Sequence, residues 1–594
     1  MQQPEQYYYG KLEEVTALLK NHKQKRNAIT LVKILLFLAA AFFIYLFSTT
    51  GTIAYLCAFF AAIAIFISIN IFETKLLKKI TFLNELKKCS EVELEYLSGE
   101  LQHLFPGNEY KDQAHPYAHD LDLFGDNSLF QAVNRTITPH GREKIHRWLL
   151  HPLKSGEEIT SRQQAVTELS NSPDWCHAFR ATGNSQAVSS LAMEQIEMWQ
   201  REQESLPRWM TPFLYIFPVI TISTWLLNIF SVIPSNIPLT LSCLSLLFCY
   251  IPAKRTFRAH LRLDEFTRSF SNLHELIHHF ASFPSQSEQL QAIRQQLFSS
   301  SSNADTALRS LRKIQEGFDQ RTNVLVAILL NGLFLRELHL LKRLVAWKQE
   351  YAEAIPAWVN ATGELDALVS LANYKYNHPD FVTPKLNTEV ILQGTGIGHP
   401  LLPADGCVTN DFGIDHLHEF YIITGANMAG KSTFLRAVGI NLVLACCGAV
   451  VRAATFEFQP MGIFTSMRTV DNLAKGTSYF HAELLRLQQL VTMAEGEEKT
   501  FIILDEILKG TNSRDKLNGS RRFLQKLLTL PIAGLVATHD LELGALADVQ
   551  PDHYFNRCFE ITHTDDDIVY DYKLKPGISQ NMNASILLEK MKLV

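Results

Sequence analysis

The sequence contains no C-x-x-C pair and no strong excess of charge of either sign. Its nine cysteines are scattered and odd in number, which argues against a disulfide framework and against a cysteine metal site. A formal net charge of −5 over 594 residues gives no overall attraction to polyanions, so a nucleic-acid contact would need a local basic surface. The length allows about four domains. The apolar residues are concentrated in four runs.

The first two apolar runs lie between residues 28 and 72 and are separated by a polar turn at 48–51. Each run has about 20 residues, the length that crosses the roughly 30 Å hydrocarbon core of a bilayer. Basic residues lie outside both runs and the turn has none, so both ends are predicted to be cytoplasmic. The pattern predicts a transmembrane hairpin at 28–73. The basic residues on its flanks are Lys23, Lys25, Arg26, Lys75, Lys78 and Lys79.

The third and fourth apolar runs form a second pair. The run 213–232 is long enough to span, and the run 237–252 is shorter and borderline by length. Basic flanks recur, so we predict a second hairpin at 211–253 and four spans in the inner or plasma membrane. The alternative is a buried helical hairpin inside a soluble core. The flanking basic residues are Arg208, Lys254, Arg255 and Arg258.

A phosphate-binding loop is the most specific motif in the chain. The β-branched and aromatic run 420–424 predicts a buried strand, and the next residues fit G-x-x-x-x-G-K-[ST] before a helical pattern. Such a loop directs backbone N–H groups and a helix N-terminus at phosphate. Lys431 adds a full positive charge, and the Ser432 hydroxyl can ligate Mg²⁺. The residues predicted to bind ATP are Gly425, Ala426, Asn427, Met428, Ala429, Gly430, Lys431, Ser432 and Thr433.

Two further predicted strands end in residues that would complete a site for nucleotide hydrolysis. The buried run 500–504 ends at Asp505 and Glu506. There an aspartate would hold Mg²⁺ together with the serine of the loop, and a glutamate would orient the attacking water. The run 534–538 delivers His539 to the same sheet edge, where it would sense the γ-phosphate. We therefore predict that Lys431, Glu506 and His539 are catalytic and that ATP and Mg²⁺ are the cofactors.

Several segments resemble the DNA mismatch-repair MutS family. The loop 424–433 is similar to its T-G-P-N-M-G-G-K-S-T, the segment 471–483 to its D-D-L-A-x-G-x-S-T-F-x-x-E, and the segment 504–515 to its L-D-E-I-G-R-G-T-S-x-x-D. The resemblance implies an ABC-type ATPase that works as a dimer, in which Ser478 contacts the γ-phosphate held by the other subunit. Stretches that resemble the family's helical core are 128–166 and 330–372.

The chain departs from the family pattern around the loop and ahead of the core. Ala426 and Ala429 replace the family's proline and glycine, and Leu508-Lys509 replaces its glycine-arginine pair. Because the residues that would hold phosphate and metal are intact, we expect nucleotide binding to persist, whereas the sequence leaves the hydrolysis rate open. Lys516 stands where the family has glycine, in a loop that the resemblance assigns to inter-subunit coupling. Ahead of the core there is no F-x-E wedge, so mismatch reading by duplex kinking is not expected.

Other functions fit parts of the sequence. Residues 274–278 satisfy the H-E-x-x-H motif of zinc peptidases, with Glu288 as the nearest candidate for a third ligand. An ABC-type ATPase could instead drive transport, although there is no L-S-G-G-Q run, and a scaffold could use ATP as a structural ligand. Between residues 253 and 350, Lys and Arg outnumber Asp and Glu by 14 to 9. This excess suits a DNA-facing surface, a solvated helix face or a flank drawn to anionic lipid.

Together these patterns predict an α/β ABC-type P-loop ATPase domain joined to a long all-α lever and core region with two transmembrane helical hairpins. The expected protein is a membrane-anchored, homodimeric MutS-like ATPase in a DNA-related transaction, with its N-terminus, core and ATPase domain in the cytoplasm. The predicted divisions are a cytoplasmic segment 1–27, a hairpin 28–73, linking helices 74–124, a core 125–390 interrupted by the hairpin 211–253, and an ATPase domain 391–594.

Overall fold

The protein has a largely helical N-terminal part and an α/β C-terminal part. The computed structural model describes residues 3–185, 210–299, 302–319, 324–426, 428–468, 479–496, 499–563 and 568–580. The helices are α1 Pro4–Thr50, α2 Ile53–Leu97, α3 Leu129–Val133, α4 Pro139–Leu150, α5 Gly156–Ser170, α6 Pro173–Asn184, α7 Met210–Ile229, α8 Asn236–Ala281, α9 Glu288–Phe298, α10 Ala304–Asp319, α11 Val324–Phe334, α12 Arg336–Tyr351, α13 Ile355–Asn377, α14 Lys431–Cys446, α15 Tyr479–Glu495, α16 Ser513–Leu527 and α17 Leu546–Val549. The strands are β1 Ser302–Asn303, β2 Lys385–Leu386, β3 Leu392–Ile397, β4 Asn410–Ile414, β5 Phe420–Gly425, β6 Thr455–Phe458, β7 Gly462–Ser466, β8 Thr500–Asp505, β9 Ile532–Ala537, β10 Tyr554–His563 and β11 Ile568–Pro576.

The first apolar pair forms two long antiparallel helices, α1 and α2. The turn between them lies where the sequence predicts it: Gly51 has φ of 65°, and its N–H closes α1 by donating to the Phe47 carbonyl. Both helices continue beyond their apolar segments, so the predicted helix after residue 74 is the continuation of α2, and it ends at Leu97. The polar ends of the two helices pack through a small apolar cluster of Val15, Leu19, Leu76, Ile80 and Leu83.

The second apolar pair forms α7 and the start of α8. α8 continues without a break from its apolar segment Asn236–Cys249 to Ala281. Among the described residues, α1, α2 and α7 are long and apolar enough to cross a membrane, and the apolar part of α8 is shorter. Only 0%, 6% and 22% of the most apolar windows of α1, α2 and α7 are buried, so the protein does not cover these surfaces. This exposure disfavours the alternative of a hairpin buried in a soluble core.

α13 is the centre of the helical core. It packs against α4, α5 and α9, and most of its residues are buried, among them Trp358 and Asp366. The carboxylate of Asp366 accepts hydrogen bonds from the backbone N–H groups of Ile137 and Thr138, just before α4. These bonds join two segments that are more than 200 residues apart in the chain. One continuous apolar core extends from α13 to α14 and the central sheet.

A six-stranded sheet organises the C-terminal part, with strand order β11-β10-β5-β9-β8-β7. All neighbouring strands are parallel except β11, which pairs antiparallel with β10 at the edge. The central strands β5, β8 and β9 are almost fully buried apolar runs, as expected for a parallel sheet covered on both faces. A smaller sheet has the order β2-β6-β3-β4. Because β5, β9 and β8 are parallel neighbours, the residues after their carboxyl ends meet at one edge.

Candidate functional site

The loop that joins β5 to α14 turns at two glycines. Gly425 and Gly430 have φ angles of 149° and 104°, a region that L side chains rarely adopt. Ala426 and Ala429 are buried in the loop, and Met428 is exposed at its rim. The small alanine side chains that replace the family's proline and glycine are therefore accommodated inside the loop. Asn427 and Ser478, which the sequence also predicts as nucleotide contacts, lie outside the described residues.

Lys431 is the first residue of α14, and its side chain is enclosed by the loop. Its ammonium donates to the carbonyl oxygens of Gly425 and Ala426 at 2.7 and 2.9 Å. Only 6% of the residue is exposed. Burial lowers the pKa of the Lys431 ammonium to about 8, although the charges of Asp505 and Glu506 act in the opposite direction. A partly desolvated cation at a helix N-terminus is a favourable place for a phosphate group.

Ser432 and Asp505, the residues predicted to hold Mg²⁺, are in contact. The Ser432 hydroxyl donates to Oδ2 of Asp505 at 2.8 Å. Asp505 is the last residue of β8 and pairs with Ala537 of β9. Hydroxyl and carboxylate oxygens are ligands that Mg²⁺ accepts, and Mg²⁺ sites of this class use few protein ligands because phosphate and water supply the others. The residues present therefore fit the predicted metal.

Glu506 and His539 form a second pair at the same edge of the sheet. Oε1 of Glu506 lies 2.8 Å from Nε2 of His539, and Lys509 Nζ lies 3.7 Å from the other carboxylate oxygen. The hydrogen bond from His539 lowers the pKa of Glu506 to about 2, although burial acts in the opposite direction. Glu506 also has φ of 55°, a conformation that is uncommon for non-glycine residues and concentrates at functional sites. Its carboxylate is thus an ionised acceptor throughout the neutral pH range.

Glu483 on α15 holds the segment that follows Glu506. Its side chain is buried and accepts hydrogen bonds from the backbone N–H groups of Leu508 and Lys509 at 2.6 and 3.0 Å. This contact gives Glu483 a structural role, and it places the Leu508-Lys509 departure directly beside the candidate site. Asp471, which the sequence groups with Glu483, lies outside the described residues.

A cavity of about 440 Å³ opens beside these groups, which is within the range of small-molecule sites. His399 lines this cavity, and burial lowers the pKa of its imidazole to about 4. Tyr572 has no sequence signal, because it lies on the antiparallel edge strand β11, far along the chain from every motif. Predicted residues that line the cavity are Ala426, Met428, Gly430, Lys431, Ser432, Thr433, Asp505 and His539. Lining residues that the motifs do not indicate include Cys407, Val408, Asn410 and Tyr572.

Comparisons with known proteins give matches over both the helical part and the α/β part of the chain. Two family models match the chain, MutS domain III over residues 118–372 and MutS domain V over residues 421–590. The DNA mismatch repair protein MutS of Treponema pallidum is 29% identical over 501 residues, which cover 76% of this chain and 54% of that protein. The chain belongs to the MutS family. The MutS protein of Thermotoga maritima is 24% identical over 491 residues, covering 76% of this chain and 60% of the relative.

This MutS-family chain spans just over half the length of those two relatives. A shorter match is the DNA mismatch repair protein MutS 2 of Halobacterium salinarum, 33% identical over 232 residues that cover 38% of this chain and 26% of that protein. The first apolar hairpin lies before both matched regions, and the second lies inside the domain III match. These matches do not support the transport or peptidase alternatives.

The H-E-x-x-H residues of this MutS-family protein contact other protein groups. His274 and His278 both approach Oδ1 of Asp305, at 3.2 and 3.0 Å. Glu275, the candidate general base, pairs with Arg312 at 2.8 Å. The carboxylate beside both imidazoles is thus Asp305, not the predicted Glu288. Within the described part of the chain, no group of three or more His, Cys, Asp or Glu side chains could hold a metal ion.

Proposed function

We propose that this protein is a membrane-anchored MutS-family ATPase that binds ATP with Mg²⁺ and hydrolyses it in a DNA-related transaction. The observation that carries the proposal is the convergence of Lys431, the Ser432–Asp505 pair and the Glu506–His539 pair after three neighbouring parallel strands. Lys431 and the loop N–H groups would hold the phosphates, and Ser432 and Asp505 would hold Mg²⁺. Glu506 would orient the attacking water, and His539 would contact the γ-phosphate.

The protein is proposed to act as a homodimer in which each site receives Ser478 from the other subunit. In the described part of the chain β7 is parallel to β8, so β7 ends at the same sheet edge as Asp505. Mixing Lys431→Ala and Ser478→Ala proteins, each inactive alone, tests the arrangement. Restored turnover in the mixture is expected, since one site of each mixed dimer would be intact, and no restoration would contradict it.

Four spans are proposed to anchor the protein in the inner or plasma membrane, with its N-terminus, core and ATPase region in the cytoplasm. At the basic end of the first hairpin, Lys33 of α1 pairs with Glu73 of α2 at 2.6 Å. Beyond this pair the helices extend for roughly 17 to 20 residues to the turn at Gly51, or about 26 to 30 Å, which matches a hydrocarbon core. The basic flanks give the orientation.

The DNA-related role is supported by the relatives, whose names state DNA mismatch repair, more than by surface charge. Arg309 pairs with Asp305, and Arg312 pairs with Glu275 and Glu316, so these two arginines are already paired within the protein. ATP turnover of the purified protein should therefore be measured with and without duplex and branched DNA at stated salt concentrations. A response to one DNA form supports the role, and no response to any form contradicts it.

ATP binding and turnover of two variants test the site itself. Lys431→Ala is expected to abolish ATP binding, because it removes the enclosed cation. Glu506→Gln is expected to retain binding while turnover falls by about 100-fold or more, since only the water-orienting charge is lost. Lys526→Ala and Glu495→Gln are matched controls, because these two residues form an exposed pair at 3.8 Å on α16 and α15. Wild-type turnover in both site variants would refute the proposal.

A further inference from the structure

α11, Val324–Phe334, is an apolar helix that lies outside all four predicted spans. Its sequence VLVAILLNGLF contains no charged residue, and the predicted divisions place it in the helical core 125–390. Leu329 is 61% exposed, Ile328 is 48% exposed and Phe334 is 45% exposed. Soluble proteins rarely leave a contiguous apolar surface of this kind open to water, and such a surface marks a contact with a partner or a membrane.

The exposed surface of α11 continues the apolar surface of α7 and α8. Gly332 lies close to the apolar segment of α8, where an added Cβ would be 3.8 Å from Ser242. A cavity of about 630 Å³ lies between the three helices. Its polar groups satisfy one another, since Trp225 Nε1 donates to Ser242 Oγ at 3.0 Å. Apolar residues that line the cavity include Ile222, Leu226, Leu239, Leu246, Ile328 and Leu329.

The polar side chain of α11 is also satisfied within the protein. Oδ1 of Asn331 accepts from the backbone N–H of Glu337 at 2.9 Å, and its amide donates to the Glu337 carboxylate at 3.3 Å. In a hydrocarbon environment each polar group must find its partner inside the protein. The side-chain amide of Asn331 meets this requirement, so it keeps its hydrogen-bond partners when α11 contacts hydrocarbon.

The carboxyl end of α11 marks a boundary between apolar and polar surroundings. Leu335 has φ of 48° and ends the helix, and it is buried against Met210 and Leu214 at the start of α7. The next helix begins with Arg336 and carries Lys342, whose ammonium lies 5.1 Å from the centre of the Tyr215 ring. The start of α7 is the proposed cytoplasmic end of that span. Basic residues at this level suit the headgroups of a cytoplasmic leaflet.

We propose that α11 is a third membrane element beside α7 and α8, inserted into the bilayer from its cytoplasmic side and covered by phospholipid acyl chains at Ile328, Leu329 and Phe334. An 11-residue helix is only about 17 Å long, so it enters the bilayer without crossing it. The acyl chains also occupy the cavity between the three helices. Lipid is the occupant because the apolar surface continues onto two helices that themselves require it. This inference rests on the membrane anchoring proposed above.

The test measures collisions of a nitroxide label with oxygen, which concentrates in lipid, and with a water-soluble nickel chelate. The full chain carries Leu329→Cys and is reconstituted into vesicles of phosphatidylcholine and phosphatidylglycerol. Phe37→Cys on α1 is the lipid reference and Leu402→Cys is the aqueous reference, since both residues are exposed. Ile328→Cys repeats the measurement in case the first variant does not fold. Cysteines that are not buried are replaced by serine, namely Cys57, Cys243 and Cys407.

The outcomes separate this inference from the membrane anchoring. An oxygen rate several-fold above the nickel rate at both residues 37 and 329 is expected. A nickel rate at 329 equal to that at 402, with 37 still in lipid, would overturn the inference and leave the anchoring intact. Low rates for both reagents at 329 would mean that a second copy of the chain covers α11, which also overturns it. Nickel access at residue 37 would overturn the anchoring itself.

Discussion

Glu93 and Glu506 are two carboxylates that reach the same ionisation state in different surroundings. Burial alone would raise the pKa of Glu93, but the positive charges of Arg135 and Arg180 outweigh it and lower the pKa to about 2. The pKa of Glu506 is also lowered to about 2, chiefly by the hydrogen bond from His539. Glu93 is fully buried, whereas Glu506 lies only partly buried at the edge of the sheet.

The two surroundings differ in how completely the carboxylate oxygens are occupied. Glu93 Oε1 accepts from Arg135 at 2.9 Å and Arg180 at 2.6 Å, and Oε2 accepts from Asn377 at 2.7 Å. These donors come from the segment before α4, from α6 and from the end of α13, so Glu93 fixes α2 to the core. Among the residues that the structure describes, Glu506 has one close donor, His539, and a more distant cation, Lys509. A fully occupied carboxylate stabilises one arrangement, whereas a partly occupied one can accept a further ligand.

Removing Glu93 should have the largest effect on stability. Glu93→Ala leaves two buried arginines without their anion, and breaking a buried ion pair in this way costs about 3–5 kcal/mol. Hydrogen exchange of the amides at 89–97, measured on the full chain, should show this loss of local stability. Glu91→Ala is the matched control, because Glu91 pairs with Lys87 on the exposed side of the same helix and should change stability by about 0.5 kcal/mol or less. Equal effects of the two variants would refute a structural role for Glu93.

Removing His539 should reduce activity and make the protonation of Glu506 visible in the pH dependence of activity. Without the histidine donor, the pKa of Glu506 rises toward its ordinary value of 4.5, since the main lowering contact is lost. We expect kcat/KM for ATP to fall by about 100-fold in His539→Ala and to decline further below about pH 5, where wild type stays ionised. His553→Ala, which alters a histidine bonded to the His418 carbonyl outside the cavity, is the control. An acid limb at the same pH in wild type and His539→Ala would contradict this assignment.

The attachment of α2 to the core should weaken in acid because of Glu93. A carboxylate with a lowered pKa in the folded state contributes its full stability above about pH 4.5 and loses it as the pH falls toward 2. Between pH 4.5 and 3 the loss is about 2 kcal/mol, since one proton per unit of pH is worth about 1.4 kcal/mol. Hydrogen exchange at 89–97 should show this slope in wild type and a flatter one in Glu93→Gln. Identical slopes would mean that another group controls the acid response.

The sequence predicts the geometry of the candidate site better than the attachment of α2. Lys431, Asp505 and His539 each follow a buried strand, and parallel strand order brings them together without knowledge of distant contacts. The spacing of the motifs is therefore enough to predict that these residues lie close together, and in the structure they line one cavity. Glu93 and Arg180 carry no such pattern, because their pairing depends on how α2 docks against helices much later in the chain.

Local sequence patterns also fail for apolar helices, because a helix can be apolar either to pack in a core or to contact a membrane. The predicted core division 125–390 places α11 in the helical core, yet Ile328 and Leu329 are exposed in the fold. Similarly, the basic count at 253–350 does not reveal that Arg309 and Arg312 pair with nearby acids. Composition gives the type of residue, whereas exposure and pairing depend on tertiary packing.

The smallest expected effect concerns Tyr8, which fixes the start of α1 to the same network. Its hydroxyl donates to Oδ1 of Asn377 at 2.9 Å, and the amide of Asn377 donates onward to Glu93. Tyr8→Phe removes one neutral hydrogen bond while the ring stays buried, so local stability at 89–97 should fall by about 1 kcal/mol. Tyr9→Phe is the control, since Tyr9 is 59% exposed. In a double-mutant cycle with Glu93→Gln, a coupling above about 0.5 kcal/mol would show that both groups act through Asn377, and additive effects would show that the attachment consists of independent contacts.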